Sequence, residues 1–251
     1  MKPIGIQLYT VRDLIKDDFF GLLRQIADIG YKGVEPAGLY GHKPSEVRKA
    51  LDDLGLKACS AHVAFPTTAN INQLADEAHA VGYDLLICGR GAEDFASPVA
   101  ISKSAETLEQ AAALLKPHGL RLGYHNHWWE FDFFAGKTGM QWLLDAAPSL
   151  AGQLDIYWAA NFGRVDVPAF LAANRRRIPS LHIKDGPLEK GAHHTAAGAG
   201  RMDIASCIRA ADPATLQWLI VELDSCATDM MTAVRDSYRY LTANGLAEGN
   251  R

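Results

Sequence analysis

Cysteine is sparse and scattered: four residues in 251, at positions 59, 88, 207 and 226, with no Cys-x-x-Cys pair and no zinc-finger spacing. That argues against a disulfide-framed scaffold and against a thiolate metal cluster. Their apolar or small neighbours mark these cysteines as core thiols in a reducing compartment. Excess basic charge is also missing. Against 29 Asp and Glu stand 25 Lys and Arg, giving a formal charge of −4. Nothing electrostatic therefore invites nucleic acid or an anionic membrane surface. The one basic run, Arg175–Arg177, reads as a solvated helix end. No apolar run approaches the roughly 20 residues of a membrane span. "MKPIGIQLYTV" enters an apolar strand at once and leaves no room for a signal peptide. Linkers and low-complexity segments are absent too. The expectation is one cytoplasmic domain over residues 1–251, with neither nucleic acid nor membrane as partner; a homo-oligomer stays open.

What the chain does have is alternation. Short strand-like runs (4–11, 32–38, 57–65, 84–89, 120–127, 152–159, 180–185 and 218–224) are separated by amphipathic helix patterns. "FFGLLRQIADIG" stops at Gly30 and "PSEVRKALDDLG" at Gly55, the glycine stop expected at a helix end. For "SAETLEQAAALLKPHG", Ser102 or Ser104 is the expected N-cap. Strict strand–helix alternation implies parallel strands. About eight repeats in about 250 residues fit a (β/α)8 barrel. "EFDFFAGKTG" reads as an inserted hairpin, and "GPLEKGAHHTAAGAGRMD" is the longest irregular segment.

Side-chain parity supports the barrel. Leu181 and Ile183 oppose His182 and Lys184; Leu219, Val221 and Leu223 oppose Ile220, Glu222 and Asp224. Leu154, Ile156 and Trp158 oppose Gln153, Asp155 and Tyr157. One face is apolar and suits packing under helices. The other turns polar toward the strand's C-terminal end, where barrel enzymes place their chemistry. Glu130, Asp155, His182 and Glu222 follow or end four successive strands and can converge. Three carboxylates and an imidazole suit one hard divalent ion, Mn²⁺ first, with Mg²⁺, Co²⁺ or Zn²⁺ as alternatives.

"GYHNHWWEF", "QLDIYWA", "LHIKD" and "VELDS", with the opening "IGIQLYTVRD" and "IGYKGVEPAGLYGH", together resemble the sugar phosphate isomerase/epimerase family of xylose isomerase-like TIM barrels. The likeness covers nearly the whole chain. It implies that Glu130, Asp155, His182 and Glu222 ligate one metal, and that Glu130 and Glu222 act as an acid/base pair on a small sugar. Isomerising or epimerising a keto sugar needs a proton removed beside a carbonyl, and a metal with flanking carboxylates suits that task.

Glu35 and His62 face the same rim and either hold sugar hydroxyls or serve the core. His127 is read as a substrate contact and His125 as a structural hydrogen bond. Lys184 either binds a substrate oxygen or pairs with a carboxylate such as Asp224. His193 and His194 read as surface residues of the long loop, with Arg201 a lid candidate. "GAG" at 198–200 lacks the lysine of a phosphate loop. Three rivals stand beside the isomerase reading: a lyase acting on an inosose or 3-keto-glycoside, a multi-zinc DNA-repair endonuclease, and a non-catalytic sugar-binding protein. The endonuclease is disfavoured because Trp158 and Ala159 follow "LDIY", where a further histidine would stand.

Overall fold

The computed structural model describes residues 1–250. The first strands are β1 Lys2–Gln7, β2 Gly33–Glu35, β3 Lys57–Ala58, β4 Ala61–His62, β5 Leu85–Cys88 and β6 Arg121–His125. After a hairpin of β7 Phe133–Phe134 and β8 Lys137–Thr138 come β9 Ala151–Asp155, β10 Ser180–Ile183, β11 Trp218–Val221 and β12 Ala247–Glu248. Strands pair in the order β3-β2-β1-β11-β10-β9-β6-β5-β4, with parallel pairing throughout. The two ends of that path, β3 and β4, are halves of one extended segment broken at Cys59 and Ser60. The nine strands therefore make one near-closed parallel barrel, a (β/α)8 barrel whose third strand comes in two pieces. Backbone bonds carry the ladder around the break: Cys59 N–H to Val34 O at 2.9 Å, His62 N–H to Pro36 O at 2.8 Å and Val63 N–H to Ile87 O at 3.0 Å.

The helices are α1 Arg12–Ile15, α2 Phe19–Ile29, α3 Pro44–Asp53, α4 Ile71–Val81, α5 Pro98–Leu115, α6 Gly139–Ala146, α7 Ile156–Ala159, α8 Val167–Asn174, α9 Ile204–Ala210 and α10 Met230–Ala243. None is long and apolar enough to cross a membrane among the described residues. As its sequence implies, α2 ends at Gly30, whose φ of 117° suits only glycine. α5 starts earlier than expected. Ser97, not Ser102 or Ser104, caps it by accepting the Ala100 N–H, and Pro98 sits at the first position, where its missing N–H costs nothing. The sixth barrel strand is shorter than the expected 152–159: Asp155 caps the Trp158 N–H, so "IYWA" winds into α7. β1 likewise ends at Gln7 and passes into a 3₁₀ turn, Leu8–Val11.

Outward-facing strand residues such as Ile4, Ile6, Leu181, Ile183, Leu219 and Val221 are buried beneath the helix layer. Each such side chain contributes about 1.5–3 kcal/mol by leaving water. The barrel interior is tight at its lower end. A Cβ at Gly5 or Gly33 would lie 2.7 or 2.6 Å from Cys59 Sγ, so glycine there makes room for the thiol. Above this level the interior becomes polar.

Candidate active site at the barrel mouth

Register sets the polar layer. Gln7 is paired with Glu35, His125 with Gln153, and His182 with Asp155 on adjacent strands. Their inward side chains therefore converge near the C-terminal ends of the strands. Glu35 is wholly buried and anchors the layer. It accepts from Gln7 Nε2 at 3.3 Å and Gln153 Nε2 at 2.6 Å, and from the Ser60 hydroxyl. Its Oε1 lies 2.9 Å from His62 Nε2 and 3.1 Å from His182 Nε2. Gln153 Oε1 in turn contacts His62 Nε2 at 2.8 Å and His125 Nδ1 at 3.1 Å. Sequence reading missed Gln153, Gln7 and Ser60, because a buried amide or hydroxyl looks the same in a strand whether it orients a histidine or not.

Above this layer the ligand atoms of His125, Asp155, His182 and Glu222 lie within 4.8 Å of one another, all four residues buried. A second trio, His62, His125 and His182, satisfies the same distance. Three of the four expected ligands thus converge, and His125 stands where Glu130 was expected. Glu130 is directed elsewhere: it accepts from the Tyr124 hydroxyl at 2.8 Å and from the His127 backbone N–H at 2.8 Å. The physical reason is parity. Tyr124 lies on the opposite face of β6 from His125, and Glu130 follows it through the turn at Trp129–Phe131. His125 does make the structural hydrogen bond expected of it, to Gln153, with its Nδ1. His127, one-third exposed, stacks on Trp129 at 4.3 Å between ring centres.

Lys184 is buried and sits among carboxylates, 2.9 Å from Asp155 Oδ2, 3.0 Å from Glu222 Oε2 and 2.6 Å from Asp224 Oδ2. Of the two readings open in the sequence, the pairing with Asp224 is what forms. Burial alone would lower the Lys184 pKa, but Asp155, Glu222 and Asp224 hold it well above the ordinary range. Burial would likewise lower His182, yet Glu35 and Glu222 raise it to about 10. Burial opposes the ionised Glu222 and Glu35; the charges of Lys184 and His182 on the first, and of His182 and His62 on the second, pull both well below the carboxylate range. Asp155 is raised by burial despite Lys184, and His125 is lowered well below its usual value by burial and by His182.

The donor set fits a divalent cation. Two carboxylates and two imidazoles at one point are ligands without thiolate, suited to Mn²⁺ or Zn²⁺. Asp155 Oδ2, though close to Lys184 Nζ, accepts no well-directed hydrogen bond. Glu35 on His182 Nε2 leaves His182 Nδ1 turned toward Glu222, the carboxylate–histidine arrangement that orients a metal-ligating imidazole.

The long loop behaves differently from its reading as surface. His193 is exposed as expected, and Arg201 is exposed too, but His194 is buried. Its Nδ1 accepts the Asp224 N–H at 3.2 Å, and its ring packs edge-on to Tyr157 and Trp158. The loop is tied down by Asp185, whose carboxylate accepts four backbone N–H groups, from Gly186, Gly198, Gly200 and Met202, at 2.8–3.0 Å. The aspartate of "HIKD" therefore holds the loop, and the loop holds His194 behind Asp224.

The barrel mouth opens into a cavity of about 670 Å³, whose inner wall includes Gln7, His62, His125 and Glu222 and whose outer wall includes Val63, Leu74 and Glu77. Asp155, His182 and Lys184 lie behind that wall.

Residues 23–243 match the family model described as xylose isomerase-like TIM barrel. Among solved structures, a sugar phosphate isomerase/epimerase from Parabacteroides distasonis is similar over 98% of both chains at 21% identity, with a TM-score of 0.80. The IolI protein with a bound zinc atom is similar over 98% of both chains at 14% identity and a TM-score of 0.76. An L-ribulose 3-epimerase is similar over 98% of this chain and 95% of its own, at 18% identity and a TM-score of 0.73. No curated protein sequence matches.

Proposed function

This chain belongs to the xylose isomerase-like TIM barrel family, and we propose that it is a divalent-metal-dependent isomerase or epimerase of a keto sugar, acting by proton abstraction beside a carbonyl. The observation that carries this is the convergence of His125, Asp155, His182 and Glu222 at the C-terminal mouth, with Glu222 and His125 opening on the cavity. His125, Asp155, His182 and Glu222 would hold the ion, Mn²⁺ favoured and Zn²⁺ suited. When bound, the ion supplies positive charge for the oxygen that becomes anionic as the neighbouring carbon loses its proton.

The chain's own residues do the rest. Glu222, held ionised by Lys184 and His182, is the group able to take a proton from substrate carbon. His182 is fixed in orientation by Glu35, and Gln153 fixes the rings of His62 and His125. His62 and His127, both on the cavity wall, offer ring nitrogens to sugar hydroxyls. Glu130, engaged by Tyr124 and the His127 backbone, supports the turn that carries His127 and is not assigned the second proton transfer.

The test is NMR of candidate ketoses, inososes and 3-keto-glycosides incubated in D₂O with Mn²⁺-loaded protein. One substrate should exchange a C–H adjacent to its carbonyl and return an epimer or isomer. Exchange followed by elimination would make the protein a lyase instead. No exchange across the panel would contradict proton abstraction. In Glu222→Gln the exchange should fall by about 10²-fold or more, the usual scale of a lost general base.

A further inference from the structure

The cavity has more room than the substrate that the reacting end alone would need. A free hexose displaces about six waters' worth of volume, roughly 180 Å³ at about 30 Å³ per water. The cavity offers about 670 Å³. Its surplus lies outward, between the β4–α4 connection and the segment after β2, where Ala37, Gly38 and Ala64 carry little or no side chain. A Cβ on Gly38 would meet nothing within 4 Å, so this wall stands clear of the rest of the protein. Val63 and Leu74 offer apolar surface there, suited to the C–H face of a ring. Gln73 beside them is exposed and can meet hydroxyls.

Charge narrows the occupant further. Among the described residues, no lysine or arginine lines this cavity, whereas Glu77, Asp224 and Glu222 do. Phosphate recognition relies on cationic forks or backbone N–H cradles, and a dianion beside Glu77 would be repelled. Lys184, behind the inner wall, is already shared by three carboxylates.

We infer that the cavity is a two-ring site for an uncharged glycoside, the keto ring at Glu222 and a second neutral ring in the outer half beside Val63, Leu74 and Gln73. This deepens the proposed function and rests on Glu222 marking the reacting end.

The test compares matched probes by calorimetry on Mn²⁺-loaded protein, with deuterium exchange read in parallel. One set is D-fructose, isomaltulose (the same ketose with a glucosyl ring on O6) and D-fructose 6-phosphate. The other is 3-keto-D-glucose and its phenyl β-glycoside. In at least one set the two-ring compound should bind about 10-fold or more tighter than its one-ring counterpart, with the phosphate ester no tighter than fructose. Ala64→Trp, which fills the outer half, should bring that preference to about 2-fold or less while one-ring affinity stays. Gln73→Trp, exposed on α4, serves as a second blocking variant should the first fold poorly. Equal affinities, or tightest binding of the phosphate ester, would overturn the two-ring site while deuterium exchange upheld the proposed function. Absence of both binding and exchange would sink the two together.

Discussion

Lys184 Nζ lies 2.6 Å from Asp224 Oδ2 and, in the same buried position, within 3.0 Å of Asp155 and Glu222. One ammonium compensates three carboxylates. Removing one member of a buried ion group costs about 3–5 kcal/mol because its partners stay charged and unpaired. Lys184→Met should therefore lower the stability of the metal-free protein by about that amount in urea unfolding, and added Mn²⁺ should restore part of it. A variant as stable as the parent without metal would mean that Lys184 does not carry this balance.

His194 makes stability pH-dependent. Burial, then Lys184, lowers its pKa from the ordinary histidine value to about 4. Its Nδ1 is an acceptor for the Asp224 N–H, a bond that protonation there would break. A depressed histidine pKa means that the unfolded chain takes up the proton first. The contribution is thus present above about pH 6.5 and is lost as pH falls toward 4, on the order of 3 kcal/mol in all. Thermal melts of the parent should fall more steeply between pH 7 and pH 5 than those of His194→Asn. Parallel slopes would show that His194 titrates as an exposed histidine.

Asp185 should govern the order of residues 186–202. Asp185→Asn keeps one acceptor oxygen but turns an N–H₂ toward backbone donors. With hydrogen bonds to a charged group contributing about 1.5–3 kcal/mol each, local opening should become about 100-fold more frequent. Hydrogen exchange at Gly198, Gly200 and Met202 reports this directly. Unchanged protection of those amides would remove the clamp.

Much of this was legible in the chain because a barrel strand has a strict two-residue period. Leu181 and Ile183 against His182 and Lys184 told inside from outside, and the same parity placed Asp155 and Glu222 at the mouth, with Glu35 placed there by its position at a strand end. In the structure the same two-residue period puts His125 on the inward face of β6, opposite Tyr124. What it lacked was depth: His125 ends the strand, whereas Glu130 lies beyond a turn whose path depends on Tyr124 and the His127 backbone. His194 was hidden for a related reason. Nothing in "GAHHTAAG" distinguishes its two histidines; only the four backbone bonds to Asp185 decide which one turns inward. The start of α5 at Ser97 and the winding of "IYWA" into α7 were likewise settled by caps, local hydrogen bonds that hydrophobic periodicity does not record.

The central claim is that one divalent ion is held by His125, Asp155, His182 and Glu222. It is tested most directly by calorimetric titration of Mn²⁺ into the metal-stripped parent, His125→Ala and Glu130→Gln. The expected result is one ion per chain in the parent. His125→Ala should lose more than the roughly 10–100-fold typical of an outer-shell partner, and Glu130→Gln should stay within about 10-fold of the parent. The contradicting result is an absence of uptake by the parent, or a loss confined to Glu130→Gln with His125→Ala binding as the parent does.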